Sequence, residues 1–197
     1  MKSENKYIGD EKFNKFLDHY ACQVPLSVIK MRFIGAACSP NTEIRVADVI
    51  ASFWEKGKEP RLETKEEADW FFKFFMGLWD EIFNQAIAGK LKLSKVSIKS
   101  KEDIIEACHR RYEELESGYV EGFWGGKKNL KIPVYVAELI DSLTELGGVY
   151  RTLSLKADRG GELGEIKQAI ANSDKMVEKA VSFIFENQVL PKMKDEN

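Results

Sequence analysis

Two short spacings in this chain could support ligand chemistry. Glu106-Ala-Cys-His109 sets a carboxylate and an imidazole three residues apart, on one helical face, as in di-iron helical bundles. Such a centre needs a second E-x-x-H and two more carboxylates, whereas the only other histidine, His19, has Phe16 three residues before it. His19 with Cys22 forms another helical turn of ligand types, but no C-x-x-C occurs to complete a zinc set. Glu106, His109 and His19 are therefore the candidates of a minority metal reading, and no metal or cofactor is expected. Cys108 adjoins His109, yet consecutive helical side chains point about 100° apart, which suits a structural cysteine better than a nucleophile and base. Asp80-Glu81 and Glu113, Glu114 and Glu116 interleave with apolar positions and read as solvated helix faces. The chain is expected not to be an enzyme.

The stretch "GYVEGFWGGKKN", Gly118 to Asn129, raises the question of a phosphate cradle. It matches neither G-x-x-x-x-G-K-[ST] nor G-x-G-x-x-G, and it follows a helical pattern rather than a strand. Gly118, Gly122 and Gly126 recur every four residues, which on a helix leaves a groove without Cβ atoms where another backbone can approach. Gly118, Gly122, Phe123 and Gly126 are thus read as a helix-packing motif. Two basic segments remain: Lys90, Lys92, Lys95, Lys99 and Lys101, and the smaller Lys127, Lys128 and Lys131. Without interleaved aromatics, in a chain of net charge −2, they read as solubilising, so nucleic acid is an unfavoured partner and Lys90–Lys101 a minority site for it.

The elements that position these residues follow from composition and period. The 197 residues are 44% hydrophobic and 31% charged, as in an ordinary single globular domain, here spanning 1–197 with loose tails at 1–10 and 192–197. "MKSENKYIGDEKFNKF" lacks the apolar core of a signal peptide, no apolar run approaches the roughly 20 residues of a membrane span, and the three cysteines fit reduced thiols. These features point to the cytoplasm.

The five prolines fall between periodic segments. Helices are expected from about Glu11 to Cys22, from Pro25 to "CSPN", and through "VADVIASFWEKG". Thr64 to Glu67 is a capping box opening "ADWFFKFFMGLWDEIFNQAIAG", apolar around most of its circumference and so expected to be central. Further helices are expected from Ser100 through the glycine stretch, from Pro133 until Gly147-Gly148 weaken or end it, and from Ser173 to Leu190, with "ADRGGELG" as a turn and "KLKLSKVSIKSK" as a loop or extended connector. The sum is an all-α, single-domain bundle of roughly seven helices.

Two blocks of this pattern resemble the YecA/YgfB-like family of uncharacterised bacterial proteins, over about Val24 to Leu190. In "FIGAACSPNTEIRVADVIASFWEKGKEP", Pro40, Ile44 and Trp54 stand at matching places, and the acidic start of the "ETKEEADWFFKFFMGLWDEIF" helix follows. "YVEGFWGG" is similar to the family's W-C-x-G-[FY]-x-x-G through Gly122, Phe123 and Gly126, with Tyr119 and Val120 replacing Trp and Cys. Lys30-Met31 replaces a frequent Asp-Gly, and Val49 a frequent Trp. Some members carry a C-terminal SEC-C zinc module; "ENQVLPKMKDEN" has none of its ligands, so zinc-dependent docking to SecA or the ribosome is not carried over. The resemblance implies an all-α cytoplasmic bacterial protein and no reaction. With the aromatic content, it leads to the expectation of a non-enzymatic interaction or regulatory module with an unidentified protein partner, homodimerisation being open.

Overall fold

A computed structural model describes residues 6–41, 43–127 and 130–195. Among them the chain is helical and contains no strand: α1 (Asp10–His19), α2 (Leu26–Cys38), α3 (Val46–Ala51), α4 (Lys65–Ile87), α5 (Lys101–Glu113), a π-helical segment (Glu114–Val120), α6 (Glu121–Trp124), α7 (Val134–Asp158), α8 (Leu163–Gln188) and α9 (Leu190–Asp195). With α5, the π segment and α6 counted as one rod, seven helices form the bundle and short α9 follows. No helix among the described residues is long and apolar enough to cross a membrane.

The most enclosed helix is α2, where ten of thirteen residues are buried, including Ile29, Phe33 and Gly35. Its neighbours are the π segment, α6 and α4. The aromatic cluster stands on α4 and closes against α1 and the residues after α3: Phe75 meets Phe13 and Phe53 with ring centroids 5.4 and 5.8 Å apart, and Phe16 stacks on Phe74 at 4.7 Å. The enclosure of α4 covers one side, since Trp70 and Phe72 remain 44% and 39% exposed. Its near-continuous aromatic pattern therefore marks a buried face plus an exposed aromatic margin, whereas the shorter α2 lies deeper.

Helix ends explain several departures from the sequence expectation. The first helix stops at His19, and Ala21 takes a left-handed φ of 51° as the Cys22 amide turns back to the Leu17 carbonyl. The third stops at Ala51; Ser52 returns its hydroxyl to the Val49 carbonyl, and the Trp54 indole donates to the Tyr20 carbonyl at 2.9 Å. At Thr64 half of the capping box forms: the Thr64 hydroxyl accepts from the Glu67 amide, while the Glu67 carboxylate takes the Glu63 amide. Ser100 and Asp103 form a complete box.

Gly147 and Gly148 do not end α7, which continues to Asp158 because Gly147 lies against Tyr112 and Glu116 while Gly148 faces open space. The last long helix begins at Leu163, ten residues earlier than Ser173, with the Glu162 carboxylate accepting the Gly164 and Glu165 amides and Ile166 and Ile170 extending its apolar stripe. The segment preceding α1 is packed: Tyr7 lies against Phe13, and the Lys6 carbonyl crosses α4 at Gly77. Likewise α9 covers 190–195, with Met193 against the core.

Candidate functional site

The glycine stretch lies along α2. An added Cβ at Gly122 would stand 2.2 Å from the Arg32 carbonyl oxygen, and one at Gly118 2.8 Å from the Met31 Cβ. From the opposite side, a Cβ at Gly35 would stand 2.1 Å from the Tyr119 carbonyl oxygen. The backbones thus approach through absent side chains on both helices, with Tyr119 and Phe123 fully buried beside the contact. Gly126 takes no part in it, having open space at its Cβ position and a φ of 76°. Gly125, at φ 53°, ends α6, and Ile44 lies over it, so the two family-like blocks meet here. Lys127 pairs with Glu43, Lys131 is exposed, and Lys128 lies outside the described residues.

Two buried arginines fix this rod. Arg32 donates from Nε and Nη2 to the Ser117 carbonyl at 2.9 and 2.6 Å, from Nη1 to the carbonyl and hydroxyl of Ser52, and from Nη2 to Glu121. Arg111, 2% exposed, grips Asp174 through Nε and Nη2 at 3.0 and 2.9 Å, and Glu114 through Nη1 at 2.6 Å. Its remaining bonds reach the Ser94 carbonyl and hydroxyl, so all five guanidinium hydrogens are used. The Ser94 hydroxyl donates to Glu114, and the Tyr150 hydroxyl to Asp174 at 2.6 Å. Burial lowers the tendency of Arg111 to hold its charge, but Asp174 and Glu114 outweigh it and raise its pKa. Glu114 is thus a buried member of a network, not part of a solvated face.

That network ties down the connector at 88–100, in which buried Leu91 and Leu93 alternate with exposed Lys92 and Lys95. Lys92 pairs with Glu178 and Lys101 with Asp158; Lys90, Lys95 and Lys99 are exposed. The cysteines are separate and reduced: burial pushes the Cys38 thiol up to about 12 and the Cys108 thiol up to about 11. The Tyr119 hydroxyl near Cys38 is buried without a geometric hydrogen bond, although the two groups interact electrostatically.

Between α1, α2, α4, the connector and α5 lies an open groove of about 880 Å³. Its floor is apolar, formed by Leu26, Met31, Ile34, Leu78, Ile82 and Leu91. Its rim carries Lys30, Glu81, Glu106, His109, Arg110 and Glu113. Glu106 and His109 do share one face, as their spacing requires, but Glu106 is paired with Arg110 at 3.0 Å. His19 is exposed on α1, its ring against Tyr20 at 4.8 Å, and does not line the groove. No three His, Cys, Asp or Glu side chains converge as metal ligands among the described residues.

Fold and site together define an all-α bundle with an open, charged-rimmed groove. Comparison with known protein families, curated proteins and solved structures returns no match.

Proposed function

We propose that this protein is a cytoplasmic, non-enzymatic interaction module of the YecA/YgfB-like kind, whose protein partner lays a helix or extended segment into the groove between α2, α4 and α5. The supporting observation is the groove itself: an apolar floor with charges of both signs around its rim. Such a surface suits an amphipathic segment, whose apolar side would cover the floor while polar flanks meet Lys30, Glu81, Glu106 and Arg110. Native pull-down with the wild type and with Ser27→Trp, which fills the groove from its half-buried rim, tests this reading. A stoichiometric partner retained by the wild type and lost by the variant is expected. No such partner, with turnover of a metabolite by the purified chain, would overturn it.

The metal alternative rests on Glu106 and His109 in the same groove, and elemental analysis of protein purified without added metal decides it. The nucleic-acid alternative rests on Lys90, Lys95 and Lys99, which make no ion pair among the described residues. Salt-dependent binding of duplex DNA or RNA lost on their replacement would be needed to sustain it.

A further inference from the structure

The α7–α8 hairpin carries a pattern that the groove reading does not use. Nine large apolar side chains stand exposed among the described residues, and six of them lie on this hairpin: Val134, Tyr135, Val149 and Leu155 from α7, Met176 and Phe183 from α8, with Tyr135 and Phe183 at the line between its helices. Tyr135 and Phe183 touch across that line, with ring centroids 6.2 Å apart. Glu138, Asp141 and Glu145 recur at three and four residues on the exposed side of α7, forming an acidic stripe. Lys175 and Lys179 recur at four on the exposed side of α8, forming a basic one.

The antiparallel register places the stripes at one height. Tyr135 meets Phe183, and Tyr150 meets Asp174, so both stripes fall between these two cross-links. Several other charges on the hairpin are internally partnered: Lys156 with Glu165, Asp158 with Lys101, Glu178 with Lys92, and Arg151 with the Tyr112 ring, whereas Lys167 and Glu186 on α8 are in no ion pair among the described residues. Among the described residues, the five stripe charges form no ion pair with one another or with the rest of the chain.

We infer that this face is a self-complementary docking surface for a second copy of the chain. A two-fold axis lying in the contact plane and running along the line between the two helices places that line on its copy. It also sets the acidic stripe of each protomer against the basic stripe of the other, twice over. Two-fold symmetry supplies the required partner pattern without any other protein. The inference stands apart from the groove reading, since none of these residues lines the groove.

Sedimentation equilibrium of the full chain, up to roughly 100 μM and at low and high salt, tests it. A dimer is expected that weakens with added salt. K175E/K179E and E138K/E145K each place like charges across the axis and should raise the dissociation constant about tenfold or more. The four substitutions combined exchange the charges at every stripe position but Asp141, restore opposite charges across the axis at those positions, and should return the constant toward the wild-type value. Circular dichroism of all variants should be unchanged, because every altered side chain is exposed. A wild type that stays monomeric, a dimer indifferent to both paired reversals, or a combined variant no tighter than either pair would each overturn the inference. Loss of groove binding with an intact dimer would sink only the groove reading.

Discussion

Gly122→Ala and Gly148→Ala make the same chemical change in two helices and should move stability in opposite directions. At Gly122 the new Cβ would lie 2.2 Å from the Arg32 carbonyl oxygen and 3.0 Å from that residue's carbonyl carbon and Cα. Clearing 3.0 Å from the oxygen requires a shift of at least 0.8 Å, and the obstructing atoms are backbone. Movement apart also stretches the Arg32 bonds to the Ser117 carbonyl, now 2.6 and 2.9 Å, and loosens the packing around Phe123. Overpacking costs about 1–3 kcal/mol and sometimes more, against a helix-propensity gain of about 0.5–1 kcal/mol for replacing glycine. Since backbone faces backbone, the net loss should be about 2–3 kcal/mol. Gly148 lies mid-helix with open space at the Cβ position and no left-handed φ, so only the propensity gain remains, about 0.5–1 kcal/mol. For a chain of this size each kcal/mol moves Tm by roughly 2–4 °C, so thermal denaturation should separate the two variants clearly and with opposite signs. Gly35→Ala, 2.1 Å from the Tyr119 carbonyl, should follow Gly122→Ala. A Gly122→Ala protein as stable as wild type, or a Gly148→Ala protein equally destabilised, would refute the close-contact reasoning.

Arg111→Leu should cost about 3–5 kcal/mol in urea denaturation, because buried Glu114 and partly buried Asp174 would lose their cation; a change below 1 kcal/mol would mean that water reaches the pair. Thiol labelling at pH 8 should reach half-buried Cys22 first and leave Cys38 and Cys108 unreacted until the chain unfolds; equal rates in the native state would contradict their burial. Above the ordinary thiol value of 9.0, the unfolded chain releases protons that folded Cys38 retains up to about 12 and Cys108 up to about 11. The contribution of these two thiols is therefore complete below pH 9.0 and is lost as pH rises through that window, which the unfolding midpoint measured from pH 8 to 11 should follow. Deleting Glu116 removes one residue from the π segment and should let the rod relax to an α-helix with Arg111 and Gly122 still in place, whereas deleting Glu106 from α5 should unfold it. Equal damage from both deletions, by circular dichroism, would show that the π turn is itself required.

The all-α class, the aromatic cluster and the connector were legible because they depend on local period: apolar residues at three and four, prolines between segments, and lysines alternating with leucines. The closeness at Gly118 and Gly122 was legible as a capacity, since glycine spacing states where a backbone can approach without naming what approaches. Its partner surface, the carbonyls of Val28 and Arg32 and the reciprocal Gly35, depends on how distant segments dock. Glu114 and Arg111 were missed for the same reason. On a regular helix their neighbours suggest a solvated face, and burial follows only when Asp174, 63 residues further on, and Ser94 converge on the guanidinium. The continuity of α7 through Gly147-Gly148 and the early start of α8 required tertiary packing and a carboxylate cap at Glu162, which local propensity understates.

These particulars meet in the rod from Lys101 to Trp124. Arg111 anchors it to the connector and α8 just before the π segment, and Arg32 anchors it to α2 through Ser117 within that segment. Two fixed attachments define the rotation of the rod at two heights, and a turn wider than α is the means by which a continuous helix can satisfy both. The wider turn then sets Gly118 and Gly122 toward α2 while Glu114 stays with Arg111. Glu106 and His109, upstream of both anchors, are held at the groove by the same constraint. The glycine contact and the groove are therefore coupled through one rigid element: a substitution that moves the rod off α2 should widen or narrow the groove without touching any residue that lines it.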